Sequence, residues 1–177
     1  MAELCAEQGY EATKIADVVR RAHVARKTLY DNFSGKEELF LAAFDVTVAE
    51  AEAEVVEACD QIGDKDWEAR TEAGMRALLE FVAAHPAEAK LCLVEAPAAG
   101  PESAARYEAA LEGFIQQLRD AAPAGGGRPA TLEEALVGGT VWIVQREVRQ
   151  DAAEKVVELL PELAQFVISP YRNVGKR

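Results

Sequence analysis

The sequence predicts an all-α protein of about nine helices, three short ones followed by six mostly longer ones. Three observations carry that expectation. Apolar residues recur at helical spacing, as in Tyr107, Leu111, Phe114 and Leu118. Val, Ile and Thr never alternate with polar residues for long enough to make a strand. The breaks between apolar stretches carry residues that start or end helices.

The elements follow in order. Gly9-Tyr10 ends a first helix, and Thr13 is placed as the N-cap of a second that reaches about residue 21. His23-Val24-Ala25 is a short break, and a third helix covers about residues 26–33. Ser34-Gly35-Lys36-Glu37 fits a capping box, in which the Ser and Glu side chains satisfy opposing backbone donors, and opens a long helix to about residue 60. Gly63-Asp64 breaks the chain before a helix over about 66–85. Pro86 and Pro101 suit the first positions of the next two helices. Residues 122–129, APAGGGRP, are the strongest loop signal. Thr131-Leu132-Glu133-Glu134 is a second capping box, opening a helix to about residue 149. A last helix covers about 152–169, with Pro170 as its stop.

At 177 residues, half of them hydrophobic and 28% charged, the composition is that of a folded globular chain. The longest apolar run, residues 136–144, is far shorter than the roughly 20 residues a membrane helix needs, so no membrane partner is expected. No basic leader precedes an apolar block, so no signal peptide is expected. Cys5, Cys59 and Cys92 are scattered without metal-ligand spacing and suit buried thiols in a reducing cytoplasm. The two histidines, His23 and His85, lie far from any useful Cys or carboxylate spacing. With no phosphate loop, dinucleotide fingerprint or zinc-protease run either, neither an enzyme nor a cofactor is expected.

Charge is distributed unevenly. The chain carries −12 overall with a pI near 4.7. Yet residues 13–36 hold Lys14, Arg20, Arg21, Arg26, Lys27 and Lys36 against Asp17 and Asp31, a net charge of +4. Such asymmetry is a sign of an anion-binding module on an acidic body, although a few Lys and Arg can also simply solvate a helix face. A helix, a turn of about four residues and a second helix form the unit that places its second helix in the major groove of DNA. In that geometry Leu29 and Phe33 face inward with Val19 and Val24. The opposite face presents Arg26, Lys27, Thr28 and Tyr30, where Arg or Lys can donate to guanine acceptors. Thr13, Lys14 and Lys36 sit at helix N-termini, where free amides favour a phosphate.

The run GYEATKIADVVRRAHVARKTLYDNFSGKEELFLAAF, residues 9–44, closely resembles the DNA-binding domain of the tetracycline-repressor (TetR) family of bacterial transcription regulators. The resemblance rests on Gly9-Tyr10, Thr13, the turn Ala22-His23-Val24-Ala25, Leu29-Tyr30-Asp31-Asn32-Phe33 and Lys36-Glu37-Glu38-Leu39. It implies that Arg26, Lys27 and Thr28 read bases, and that Thr13, Tyr30 and Lys36 contact phosphates. Met1 falls inside the family's first helix. Two residues depart from the pattern. His23 stands where a turn glycine is usual, at a position expected to need positive φ. Ala25 stands where a Ser would cap the recognition helix, a loss of around 1 kcal/mol.

The expected organisation is therefore a helix-turn-helix DNA-binding domain at 1–44 and a helical ligand-binding and dimerisation domain at 45–177. Proteins resembling this family commonly hold an apolar cavity between helices. Candidates to line it are Trp67, Met75, Phe81, Leu91, Tyr107, Phe114 and Trp142, although such stripes can equally be plain core. The last two long helices are apolar on two faces, and a second face asks for a second partner. Val137, Val141, Val144, Val148, Leu159, Leu163 and Phe166 are thus expected at a two-fold dimer interface, with Gly138, Gly139 and Thr140 allowing close approach. The function expected is a ligand-responsive repressor that binds a double-stranded DNA operator as a homodimer and is released by a small-molecule effector. The alternative is a small-molecule-binding or scaffold protein of the same fold that has lost specific DNA binding.

Overall fold

The structure, a computed structural model, describes residues 1–63, 66–123 and 127–172. Asp64 of the expected break and residues 124–126 of the expected loop lie outside the described residues. Among the described residues there are nine α-helices and no strand. Helices α1 (Ala2–Ala12), α2 (Ile15–Ala22) and α3 (Arg26–Asn32) form a small head. Helix α4 (Lys36–Ile62) is 27 residues long and runs from the head into the body, a span of about 40 Å at 1.5 Å per residue. The body comprises α5 (Trp67–Ala84), α6 (Pro86–Lys90), α7 (Pro101–Ala121), α8 (Leu132–Arg149) and α9 (Leu160–Arg172). A π-helical turn, Leu91–Glu95, and a 3₁₀ turn, Ala96–Ala98, extend α6, while a 3₁₀ stretch, Ala153–Leu159, leads into α9.

Local chemistry explains most of these ends. Pro86 and Pro101 open α6 and α7, where a missing N–H costs nothing. Gly9, at φ 80 and ψ 160, breaks the helical backbone of α1 one turn before its end, a conformation open in practice to glycine. His23 does adopt the left-handed conformation (φ 54, ψ 33), and Ala25 provides no side-chain cap for α3.

Several boundaries differ from expectation. The N-cap of α2 is Lys14 rather than Thr13, and the Asp17 carboxylate accepts the Lys14 N–H at 3.4 Å. Gly35, not Ser34, caps α4. The Ser34 N–H instead donates to Glu38 at 2.6 Å, one residue beyond the expected Glu37, and the Ser34 side chain, with this N–H, holds the Glu38 carboxyl below its usual range. Thr131 is the N-cap of α8, but its hydroxyl makes no capping bond. Pro170 lies inside α9, which continues to Arg172. Near a C-terminus proline loses one intrahelical bond without forcing a stop. The expected single helix over 152–169 is a 3₁₀ stretch followed by α9, and the change falls where Pro161 removes an N–H donor.

Packing divides into connected clusters. Leu4, Val18 and Leu29 form the centre of the head, flanked by Ile15, Val19, Phe33 and Leu39. The other face of α1 contributes Ala2, Cys5 and Tyr10 to a junction with Phe40, Phe44, Leu91 and Ala96. The body core joins α5, α8 and α9 through Leu79, Val82, Val144, Val148, Leu160, Leu163 and Ile168. Helix α1 therefore belongs to the head on one side and grips the body on the other.

Candidate nucleic-acid interface and ligand cavity

The head exposes one cationic face. Leu29 anchors α3 in the core, and Arg26, Lys27, Thr28 and Tyr30 on the same short helix are all exposed. The Arg26 guanidinium lies 5.5 Å from the centre of the Tyr30 ring and donates to its hydroxyl at 3.4 Å. Lys27 pairs with Asp31 at 2.9 Å, one turn along, in a geometry open to water. Lys14 is exposed at the start of α2. Arg20 pairs with Asp17 at 2.6 Å, and Arg21 reaches Glu3 and Glu7 on α1 at 2.9 and 2.8 Å. The Arg21 bond holds the Glu7 carboxyl below its usual range. Among the described residues, the Lys14 ammonium and the Arg26 guanidinium pair with no carboxylate.

Three head residues sit differently from the sequence reading. Thr13, expected to meet a phosphate, is 1% exposed and donates its hydroxyl to the Gly9 carbonyl at 2.8 Å. As the residue closing α1, its side chain packs inward. Lys36 is half-buried: its ammonium donates to the Tyr10 carbonyl at 3.0 Å and lies 4.0 Å from the Tyr10 ring centre. It thus pins the end of α1 instead of standing clear at the surface. Val24, expected inward, is 41% exposed because the left-handed turn at His23 swings it outward.

In the body, a cavity of about 280 Å³ opens between α4, α5, α7 and α8. Its wall is almost wholly apolar and includes the full stripes Tyr107, Leu111, Phe114, Leu118 and Met75, Leu78, Leu79, Val82. Of the expected lining residues, Trp67, Met75, Phe81, Tyr107 and Phe114 are present. Leu91 is absent from the wall. It is fully buried in the junction, facing Phe40 and Phe44 from the start of the π-helical turn. Trp142 is also absent and is 61% exposed, on the outside of α8. Neighbouring positions on a helix are about 100° apart, so Val141 and Trp142 face different ways. The sequence reading missed Thr47, Thr71, Cys92 and Thr140, which add polar atoms to the wall. Only Thr140 carried a signal, as a lone hydroxyl in an apolar run. Burial raises the Tyr107 hydroxyl above its usual range and pushes the Cys92 thiol up to about 12.

The comparisons bear on the head and on the fold. Residues 2–43 match the family described as bacterial regulatory proteins, tetR family. The N-terminal domain is that of the TetR family. The whole chain also superposes on solved TetR-type folds. One is described as the fatty acid degradation regulator FadR from Bacillus halodurans, at TM-score 0.75 and 19% identity, covering 99% of this chain and 95% of that one. Another is a TetR-family transcriptional regulator from Bordetella parapertussis, at TM-score 0.68 and 20% identity, covering 99% and 94%. No curated protein sequence matches. Among the described residues, no helix is long and apolar enough to cross a membrane.

The TetR-type body corrects the expected dimer stripe. Val144, Val148 and Leu163 are buried within this chain, and Val137 and Val141 face the cavity. Leu159 is half-buried against the same core. Of the seven, Phe166 alone is exposed, at 43%. The small residues also serve this chain itself. A Cβ on Gly139 would stand 3.3 Å from the Phe166 ring, so Gly139 lets α8 approach α9, whereas Gly138 faces open space. The outer apolar surface of α8 and α9 is made by Trp142 and Phe166.

Proposed function

We propose that this DNA-binding transcriptional regulator is a ligand-responsive repressor. Residues 1–44 serve as the reading head, and residues 45–177 as the effector-binding and dimerisation body. Two heads in a homodimer, with recognition helices about 34 Å apart, would enter successive major grooves of a pseudo-palindromic operator. Arg26, Lys27 and Thr28 meet base edges, while Lys14 and Tyr30 meet phosphates. The observation that carries this reading is the continuity of α4. One helix supplies Phe40 to the junction with the head and Phe44, Thr47, Ala51 and Val55 to the cavity wall. An effector that favours a different tilt of α4 then shifts the spacing of the heads, to the extent of its differential affinity for the two states.

The dimer surface is drawn from the exposed side of α8 and α9, centred on Trp142 and Phe166, in place of the buried valine stripe. Exposed aromatic side chains on the last two helices suit a two-fold helical interface. Trp142→Glu with Phe166→Glu is expected to yield a folded monomer in sedimentation.

The test of DNA reading is a mobility-shift titration at fixed salt on the promoter of the protein's own gene. Arg26→Ala and Lys27→Ala should each lower affinity with the dimer intact, and unchanged binding removes those two residues from the assignment. A second reading has an observation of its own. Arg20, Arg21 and Lys27 are all paired to carboxylates, as in a helical scaffold that keeps the fold without recognising DNA. The two differ in salt dependence, because released counterions give DNA binding a steep negative slope.

A further inference from the structure

Trp67 and Thr140 line the cavity, and one buried polar atom of each, Nε1 and Oγ1, has no hydrogen-bond partner among the described residues. Each exception calls for an explanation, since buried polar groups are nearly always paired. A helical threonine has a ready partner in the carbonyl four residues earlier. Thr47 uses it, donating to Ala43 at 2.9 Å, whereas Thr140 on the facing helix does not. The indole N–H of Trp67 is a donor only. Its ring is held by Tyr171 at 4.8 Å and by the cluster containing Leu136, one turn before Thr140 in α8.

We infer that the cavity recognises an uncharged, largely apolar ligand carrying an acceptor oxygen, which takes the Trp67 N–H and the Thr140 hydroxyl as donors. The inference rests on the effector reading above and adds the chemistry of the effector. The size of the cavity sets the apolar part: a cavity of about 150 Å³ holds benzene, so this one, at about 280 Å³, takes a two-ring body. Absence of charge follows from the wall. Among the described residues of the wall one side chain is charged, Arg70, which faces Asp60 at 3.8 Å, and an uncompensated charge in such a lining is strongly disfavoured. A neutral carbonyl satisfies orphaned donors without that penalty, and a site with unpaired donors discriminates against an analogue lacking the oxygen.

The test uses three probes with one ring system, naphthalene, 2-acetylnaphthalene and 2-naphthoate, titrated into the full chain at neutral pH by calorimetry. The ketone should bind more tightly than naphthalene by at least about ten-fold, equivalent to about 1.4 kcal/mol. The anion should bind most weakly. In Thr140→Val and in Trp67→Phe the ratio of ketone to naphthalene affinity should drop towards one. That ratio cancels changes in cavity shape common to both probes, and Thr140→Val keeps the side-chain volume. A wild-type ratio near one, a ratio preserved in both variants, or naphthoate as the tightest of the three overturns the inference. Failure of all three to bind at their solubility limits overturns it together with the cavity as an effector site. A ketone that binds with the expected ratio but leaves retention of the promoter DNA unchanged refutes the effector reading alone.

Discussion

The Glu95 carboxylate accepts the backbone N–H of Tyr10 at 2.7 Å, joining the broken turn of α1 to the π-helical turn of the body. The bond is possible because Gly9 leaves the helical conformation and frees the next amide from its intrahelical partner. Cys92 and Leu93, on the same π-helical turn, line the cavity, and such turns often mark functional positions. The head is thus tied to the cavity wall over a few residues.

Glu95→Ala should weaken that tie. A hydrogen bond to a charged acceptor contributes about 1.5–3 kcal/mol, the lower end applying to a half-buried group. The expected loss in melting temperature is a few degrees, with faster hydrogen exchange at the Tyr10 amide and a partial return in Glu95→Gln. An unaltered exchange rate at Tyr10 would remove the carboxylate from its assigned role.

Asp31 sits on the exposed side of α3 and holds Lys27. Asp31→Asn removes a negative charge from the candidate DNA face and releases the lysine. DNA affinity should rise several-fold on the operator and less on unrelated DNA, since the released lysine meets base edges. If operator affinity stays the same, Lys27 does not reach the bases.

Gly74 lets α5 lie close against α4: a Cβ there would stand 2.8 Å from Cys59 Sγ and 3.3 Å from Val55 Cγ1. Gly74→Ala should destabilise the chain by about 1–3 kcal/mol through overpacking, despite the better helix propensity of alanine. Cys59→Ala combined with Gly74→Ala should recover most of the loss, since the clashing sulfur is gone. Additive effects in a double-mutant cycle would contradict this contact as the cause.

Burial holds the Cys92 thiol up to about 12, from an ordinary 9.0. Below the ordinary value the thiol is protonated in folded and unfolded chains alike and adds no pH dependence. Between the two values the unfolded chain releases a proton that the folded chain keeps. Stability therefore falls as pH rises through this window, by up to about 1.4 kcal/mol per pH unit from this group. Urea denaturation across the window should show a flatter profile for Cys92→Ala than for the parent, and parallel profiles would exclude the thiol as the source.

The helix-turn-helix unit was legible because its determinants are local. Leu29 and Phe33, four residues apart, orient α3, and that spacing places Lys27 and Thr28 on the far side, while Arg26 is exposed at the first position of the helix. The strained turn at His23 and the uncapped start of α3 at Ala25 were readable for the same reason. Thr13 and Lys36 were harder to place. Their roles depend on Gly9, Tyr10 and Glu95, and Glu95 comes from a turn 85 positions away from Tyr10.

The amino-acid order by itself determined an all-helical chain, its main breaks and the TetR-type head, because these follow from helical periodicity and terminal chemistry within a few residues. Only the tertiary structure decided how the faces of α8 are used. Val144 and Val148 enter the core, Val137, Val141 and Thr140 face the cavity, and Trp142 stays outside. A helix that is apolar on two sides has no local signal for which side meets which neighbour. That choice is made by the helices packed against it, among them α7, α9 and the π-helical turn, which are distant in sequence and adjacent in space.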